Sequence, residues 1–226
     1  MSQQETNTKD WNWWWGAWRG YIRCSNCGAL MDLASPCPIC STDYSKRERV
    51  TIIIDGREEI VPSTFQGPLD WAPYLMLQLM HREWTRAPVI EEQCHARPSS
   101  QALIVLLFWT YFETLMSWYY ERSTSALPTG IQNDILNRYA SIGSRCDRLH
   151  RMLFGCRYWD DLESLGYTAV RNHLETVQSR RNAFTHGKPE AISDLLVSET
   201  VLAMPRFHEA WIKSFNLRCA TTKAES

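Results

Sequence analysis

The strongest pattern in the chain is an almost unbroken apolar run, Ala102 to Phe112, preceded by Ser99-Ser100 and continuing in mixed residues to about Arg122. Capping serines ahead of a run too long for a strand predict a helix from Gln101 to about Arg122, buried on most sides and partly by a second subunit. Glu113, Thr114 and Ser117 interrupt the run near its middle and no basic flanks set an orientation, which argues against a membrane span. After the Pro128-Thr129-Gly130 turn, Ile142, Cys146, Leu149 and Leu153 recur at helical spacing and predict a second long helix, Ile131 to Leu153. A third, opened by Tyr158-Trp159-Asp160-Asp161, runs from about Leu162 or Tyr167 to His186, where Gly187 serves as the residue that lets a helix stop. Ser193-Asp194 begin a last helix to about Phe215, carrying Leu195, Leu196, Val201, Leu202, Met204 and Trp211, with Pro205 as a source of a kink. Tyr74 to Arg86 reads as a short helix.

The first quarter of the chain has a different rhythm. Val50–Ile54 and Glu59–Val61 are β-branched runs around Asp55-Gly56, the signature of a hairpin. Before them, Cys24-Ser25-Asn26-Cys27-Gly28 and Cys37-Pro38-Ile39-Cys40 form two C-x-x-C turns. Each such turn presents two thiolates to one ion, so Cys24, Cys27, Cys37 and Cys40 predict a tetrahedral site for structural Zn²⁺. The segment is similar to zinc ribbons; it is too small to build a core, and the metal supplies its folding energy. Trp11-Asn12-Trp13-Trp14-Trp15-Gly16-Ala17-Trp18 is expected to pack over this module or dock it to the helices, with an aromatic platform for bases as the alternative. Cys94-His95 lies in a loop between Pro88 and Pro98 and reads as core or surface, because the four-cysteine site is already complete. The expected organisation is a tryptophan-rich lead (1–20), a zinc ribbon with hairpin (21–62), a linker and short helix (63–98), a helical domain (99–217) and a tail (218–226). The fold class is therefore mainly α, a helical bundle with a small N-terminal β zinc ribbon.

Composition narrows the function classes. A net charge of -1 over 226 residues argues against a generally basic, histone-like nucleic-acid binder and leaves room for a local basic groove. Eleven tryptophans point to large aromatic contacts or an interface. Met1–Asp10 is polar, without the apolar stretch of a signal peptide, which predicts a cytoplasmic protein whose eight cysteines serve metal binding or packing rather than disulfides.

The chemistry concentrates in Ser179-Arg180-Arg181-Asn182-Ala183-Phe184-Thr185-His186-Gly187. It combines a permanent cation, Arg181, with His186, the side chain able to move a proton near neutral pH, and Asn182 and His186 share a helix face at four-residue spacing. A histidine at a helix C-terminus followed by glycine is also ordinary capping. Arg145, Arg148 and Arg151, with Arg138 and Arg157 nearby, are either a solvated helix flank or a basic wall for a phosphate backbone.

Arg181-Asn182-x-x-x-His186, at the end of a third helix and before a fourth, resembles the signature of the HEPN superfamily, over about residues 70–217. That resemblance implies an all-α, dimeric, metal-independent endoribonuclease acting on RNA through 2′-hydroxyl attack, with Arg181, Asn182 and His186 catalytic and no cofactor for catalysis. Arg180 also satisfies the loose spacing. Glu113 resembles the acidic residue often found on the first long helix of these domains, and a buried structural pair is equally consistent with it. The resemblance further implies a toxin–antitoxin or anti-phage setting, a homodimer, and a separate antitoxin or regulatory partner. Two other readings remain: a non-catalytic HEPN and zinc-ribbon adaptor for RNA binding or dimerisation, and a helical protein whose tryptophan-rich ribbon docks a partner protein.

Overall fold

A computed structural model describes residues 22–24, 26–31, 36–43, 49–54, 57–62, 71–86 and 98–220. The tryptophan-rich lead, the Asp55-Gly56 turn, the 63–70 linker, the Cys94-His95 pair and the tail from residue 221 lie outside the described residues. The chain is mainly helical and divides into two units: residues 72–210, and residues 1–71 together with 211–226. Among the described residues, no helix is long and apolar enough to cross a membrane.

The first of these units is built on α2 (Leu103–Ser123), which follows α1 (Trp71–Thr85). Its buried residues come in pairs, Ile104-Val105, Phe108-Trp109, Tyr111-Phe112, Leu115-Met116 and Tyr119-Tyr120, so the helix turns one broad face inward. The opposite stripe, through Thr110, Glu113, Thr114 and Ser117, is half-buried or exposed. Within the single chain, the buried rings fall on one face of the 3.6-residue repeat. Phe207 packs edge-on against Phe108 with centroids 5.0 Å apart and against Phe112 at 5.9 Å. Such ring pairs contribute roughly 0.5–1.5 kcal/mol each beyond the area they bury.

Ser99 caps a turn, its Oγ accepting from Gln101 N at 3.2 Å, and α2 itself starts two residues later behind Ala102 without a side-chain cap. Gln101 instead donates from Nε2 to the carbonyls of Glu83 (2.9 Å) and Trp84 (3.0 Å), which closes the otherwise open C-terminal end of α1.

The second long helix expected over Ile131–Leu153 is broken. It becomes α3 (Thr129–Arg138), α4 (Ile142–Ser144), a single π-helical turn (Arg145–Leu149) and α5 (His150–Phe154). The break sits at Ser141, in extended backbone, whose hydroxyl accepts from Ser144 N at 3.3 Å. Serine's side chain competes with the helical ladder and here begins a new helix rather than continuing the old one. Beyond the break Cys146 and Leu149 are fully buried, whereas α3 buries nothing. Gly155, with φ +80°, ends α5.

The expected third helix begins at the later of its two expected starts. A short α6 (Tyr158–Ser164) is closed by Gly166, and α7 (Thr168–Thr185) follows, burying Val170, Leu174 and Val177. The last helix, α8 (Asp194–Cys219), starts where Ser193-Asp194 predict and contains Pro205. Leu195 and Leu202, read as part of its apolar pattern, are 68% and 67% exposed. Spaced by seven residues, they form an outward stripe of their own.

A polar network that no sequence motif announces lies inside this unit. His150, fully buried, donates from Nε2 to Asp161 Oδ2 at 2.8 Å, since a carboxylate can only accept. That tautomer leaves Nδ1 to accept from the Tyr120 hydroxyl at 3.1 Å. Burial raises the Tyr120 phenol well above its ordinary range, which keeps it a donor.

In the other unit, β1 (Ile22–Arg23) and β2 (Leu30–Met31) pair antiparallel in the register Ile22↔Met31 and Arg23↔Leu30. A second antiparallel pair, β3 (Arg49–Ile54) and β4 (Arg57–Pro62), runs from Arg49↔Pro62 to Ile54↔Arg57, which leaves a two-residue connection at the expected hairpin. The end of α8 belongs to this unit. Asn216 accepts from Leu30 N through Oδ1 (2.7 Å) and donates to Leu30 O through Nδ2 (2.8 Å), so its carboxamide pairs with β2 as a neighbouring strand would.

Candidate functional site

Three segments of the helical unit converge on one cavity of about 450 Å³. From α2 come Trp109, Glu113 and Ser117, spaced i, i+4, i+8, and therefore one stripe of that helix. The broken stretch between α3 and the π turn supplies Ser141, Ile142 and Arg145. From α7 come Gln178, Arg181 and Asn182, spaced i, i+3, i+4.

Each charged group on the wall has a defined anchor. Trp109 donates from Nε1 to Glu113 Oε1 at 2.8 Å, which fixes the carboxylate against its own helix. Arg145 donates from Nε to Tyr139 O (2.9 Å) and from Nη1 to Ser117 Oγ (2.7 Å). The break at Ser141 makes the first of these bonds available, because Tyr139 ends α3 with its carbonyl outside a helical ladder. Arg145 is also the first residue of the π turn, and such turns insert one extra residue that re-aims the side chains around it. Arg181 donates from Nη1 to Asn182 Oδ1 at 3.2 Å. Among the described residues, neither Glu113, Arg145 nor Arg181 takes part in an ion pair, although all three face the same space.

His186 stands apart from this wall. It is the exposed C-cap residue of α7, and the helix closes behind it by two bonds, Gly187 N to Phe184 O (3.1 Å) and Lys188 N to Ala183 O (3.1 Å), with Gly187 at φ +88°. That double closure around a left-handed glycine is the Schellman arrangement. Arg180, Arg148 and Arg151 are exposed and do not line the cavity. Arg145 is thus the member of the Arg145, Arg148, Arg151 set that faces it. Gln178 and Trp109 carry no mark in the sequence beyond their spacing with Asn182 and Glu113, and Ser117 stands out there only as an interruption of the apolar run.

The other unit holds a cysteine cluster. Cys24, Cys27, Cys37 and Cys40 have all their sulfurs within 4.8 Å of one another and could hold a metal ion. The Cys24–Cys40 and Cys27–Cys37 sulfur pairs are 3.5 Å apart. Each knuckle turns tightly: Gly28 N donates to Cys24 O at 2.8 Å with Gly28 at φ +74°, and Ser41 N donates to Cys37 O at 3.0 Å with Ser41 at φ +55°. Burial pushes the Cys27 thiol up to about 12 and raises Cys37 as well, whereas the Thr42 hydroxyl, 3.0 Å from Sγ, lowers Cys40 to about 6. A dication among these sulfurs would favour the thiolate at all four positions.

No protein-family model, no curated protein and no solved structure matches the chain.

Proposed function

We propose that the chain is a metal-independent endoribonuclease of the HEPN type, acting as a dimer in a toxin–antitoxin or anti-phage setting. The observation that carries this reading is the cavity wall: Arg181 and Asn182 of the resembling motif, on α7, share it with Glu113 and Arg145. In the proposed reaction the RNA 2′-hydroxyl attacks the adjacent phosphorus and the P–O5′ bond breaks. The products are a 2′,3′-cyclic phosphate and a 5′-hydroxyl. The arginines stabilise charge developing on the phosphorane oxygens, and Arg145 is the pre-organised one of the two. His186, exposed at the helix end, moves the proton. Its position outside the cavity wall favours a site completed across a two-fold axis, where the partner protomer supplies a second histidine. The outward Leu195 and Leu202 stripe gives such a dimer an apolar face.

Zn²⁺ is the metal proposed for the four cysteines. Bonds of about 2.3 Å in a tetrahedron place sulfurs about 3.8 Å apart, close to the spacing of the two pairs. With every position filled by protein, the ion is structural and contributes folding energy.

The test is incubation of purified protein with total RNA in a chelator concentration that leaves the bound zinc in place, comparing wild type with Arg181→Ala and His186→Ala. Cleavage ending in 2′,3′-cyclic phosphate, lost in both variants, is expected. Retained cleavage in His186→Ala overturns the assignment. One observation favours a second reading: with His186 away from the cavity, the same wall can bind RNA without cutting it, as a non-catalytic adaptor. Binding of RNA that is lost in Arg181→Ala, with no cyclic phosphate at any protein concentration, selects that reading.

A further inference from the structure

The cavity wall carries a contradiction that its ligand must resolve. Two arginines and one carboxylate face the same space without pairing to one another. A bare phosphate, or a stretch of backbone alone, would satisfy the arginines and be repelled by Glu113. The occupant therefore carries an anionic group and, on another part of itself, hydrogen-bond donors for a carboxylate. A nucleotide does this only with certain bases. A glutamate carboxylate accepts and never donates. Guanine presents two adjacent donors on its Watson–Crick edge, N1–H and N2–H. Adenine and cytosine present a donor beside an acceptor there, and uracil one donor between two acceptors, so each would set a lone pair against the carboxylate.

The geometry suits that task. Glu113 is not a free surface acid: Trp109, itself 2% exposed, holds Oε1 at 2.8 Å, so the remaining lone pairs have a fixed aim. Arg145, held by Tyr139 O and Ser117 Oγ, keeps Nη2 for a ligand. A volume of about 450 Å³ lies within the roughly 300–1,000 Å³ of small-ligand sites and holds one nucleotide rather than a duplex. We infer that this cavity binds a single guanosine nucleotide, with Glu113 reading the base edge and Arg145 and Arg181 taking the phosphate. Resting on the ribonuclease reading, it follows that RNA is cut on the 3′ side of guanosine.

Titration calorimetry of the full chain with guanosine, inosine and adenosine 3′-monophosphates and with inorganic phosphate tests the site directly. The guanosine nucleotide binds about ten-fold or more tighter than the adenosine nucleotide, the scale of one bidentate base contact. Inosine, which lacks the N2 amino group, falls between them, and phosphate is weakest. Glu113→Gln replaces a double acceptor with an acceptor and a donor, so the preference moves toward adenosine. Arg145→Gln weakens both nucleotides and leaves their ratio unchanged. Equal affinities for guanosine and adenosine nucleotides, or no nucleotide binding, overturn the inference, and the wild-type series decides this even where Glu113→Gln does not fold. Selective guanosine binding without RNA cleavage removes the nuclease and keeps the site; cleavage without guanosine preference does the reverse.

Discussion

Replacing Asn216 by leucine keeps the branched heavy-atom skeleton and removes both hydrogen bonds to Leu30. Leu30 is fully buried and Asn216 is 8% exposed, so water cannot take over the bonds without the unit opening. The substitution strands one N–H and one C=O in β2, 2.7 and 2.8 Å from atoms that no longer answer them. Each such group costs about 1–3 kcal/mol, so the unit formed by the knuckles and the end of α8 loses about 2–6 kcal/mol. Even the lower figure shifts the opening equilibrium about 30-fold. Amide exchange at Leu30 is the sensitive assay, because its N–H is the donor in question, and it accelerates by at least that factor. Amides in the core of α2 serve as the internal control and keep their protection. An unchanged Leu30 exchange rate in Asn216→Leu would refute the idea that a side chain holds this strand.

Three further outcomes are expected. His208, 7% exposed, is pushed by burial from 6.5 to about 3, so between those values the unfolded chain binds a proton that the folded chain does not. The contribution of this histidine is therefore full above pH 6.5 and falls on acidification by roughly 1.4 kcal/mol per pH unit, a slope obtained as the difference between wild type and His208→Leu in urea midpoints at pH 7 and pH 5. Gly187→Ala meets no atom within 4 Å but keeps φ +88°, so it costs about 1 kcal/mol in a denaturant midpoint and Gly187→Asn costs less; equal costs would point away from the backbone. Asp161→Ala removes the acceptor of both the buried His150 Nε2–H and the Cys156 thiol and lowers stability by more than about 2 kcal/mol, whereas Tyr120→Phe strands one acceptor, His150 Nδ1, and costs about 1 kcal/mol in the same thermal-melt comparison.

Much of this architecture was legible in the residues, and the reasons differ by element. The start of α8 at Asp194 and the stop of α7 before Gly187 are written in local chemistry, a serine cap and a left-handed glycine, which act over a few residues. The two C-x-x-C turns are local in the same sense, and their sulfurs meet. The broken helix was not legible, because Ile142, Cys146, Leu149 and Leu153 all lie beyond Ser141, so their periodicity says nothing of where the helix behind them begins. The cavity was half legible. Arg181, Asn182, Glu113 and Arg145 were singled out, but their convergence depends on how α2, α7 and the Ser141 break pack, which no local pattern encodes. The same holds for Asn216 and Leu30, 186 residues apart in sequence.

The π turn at Arg145–Leu149 also acts as a phase shifter. A helix advances about 100° per residue, so one residue beyond the α-helical count rotates everything before the turn by that angle relative to everything after it. Arg145 can thus face the cavity while Cys146 and Leu149 stay in the core. Such a register is insensitive to most substitutions and acutely sensitive to length. Deleting one residue of the turn would give Ile142–Phe154 a single α-helical phase and set the place of Arg145 on the cavity wall against the burial of Cys146 and Leu149.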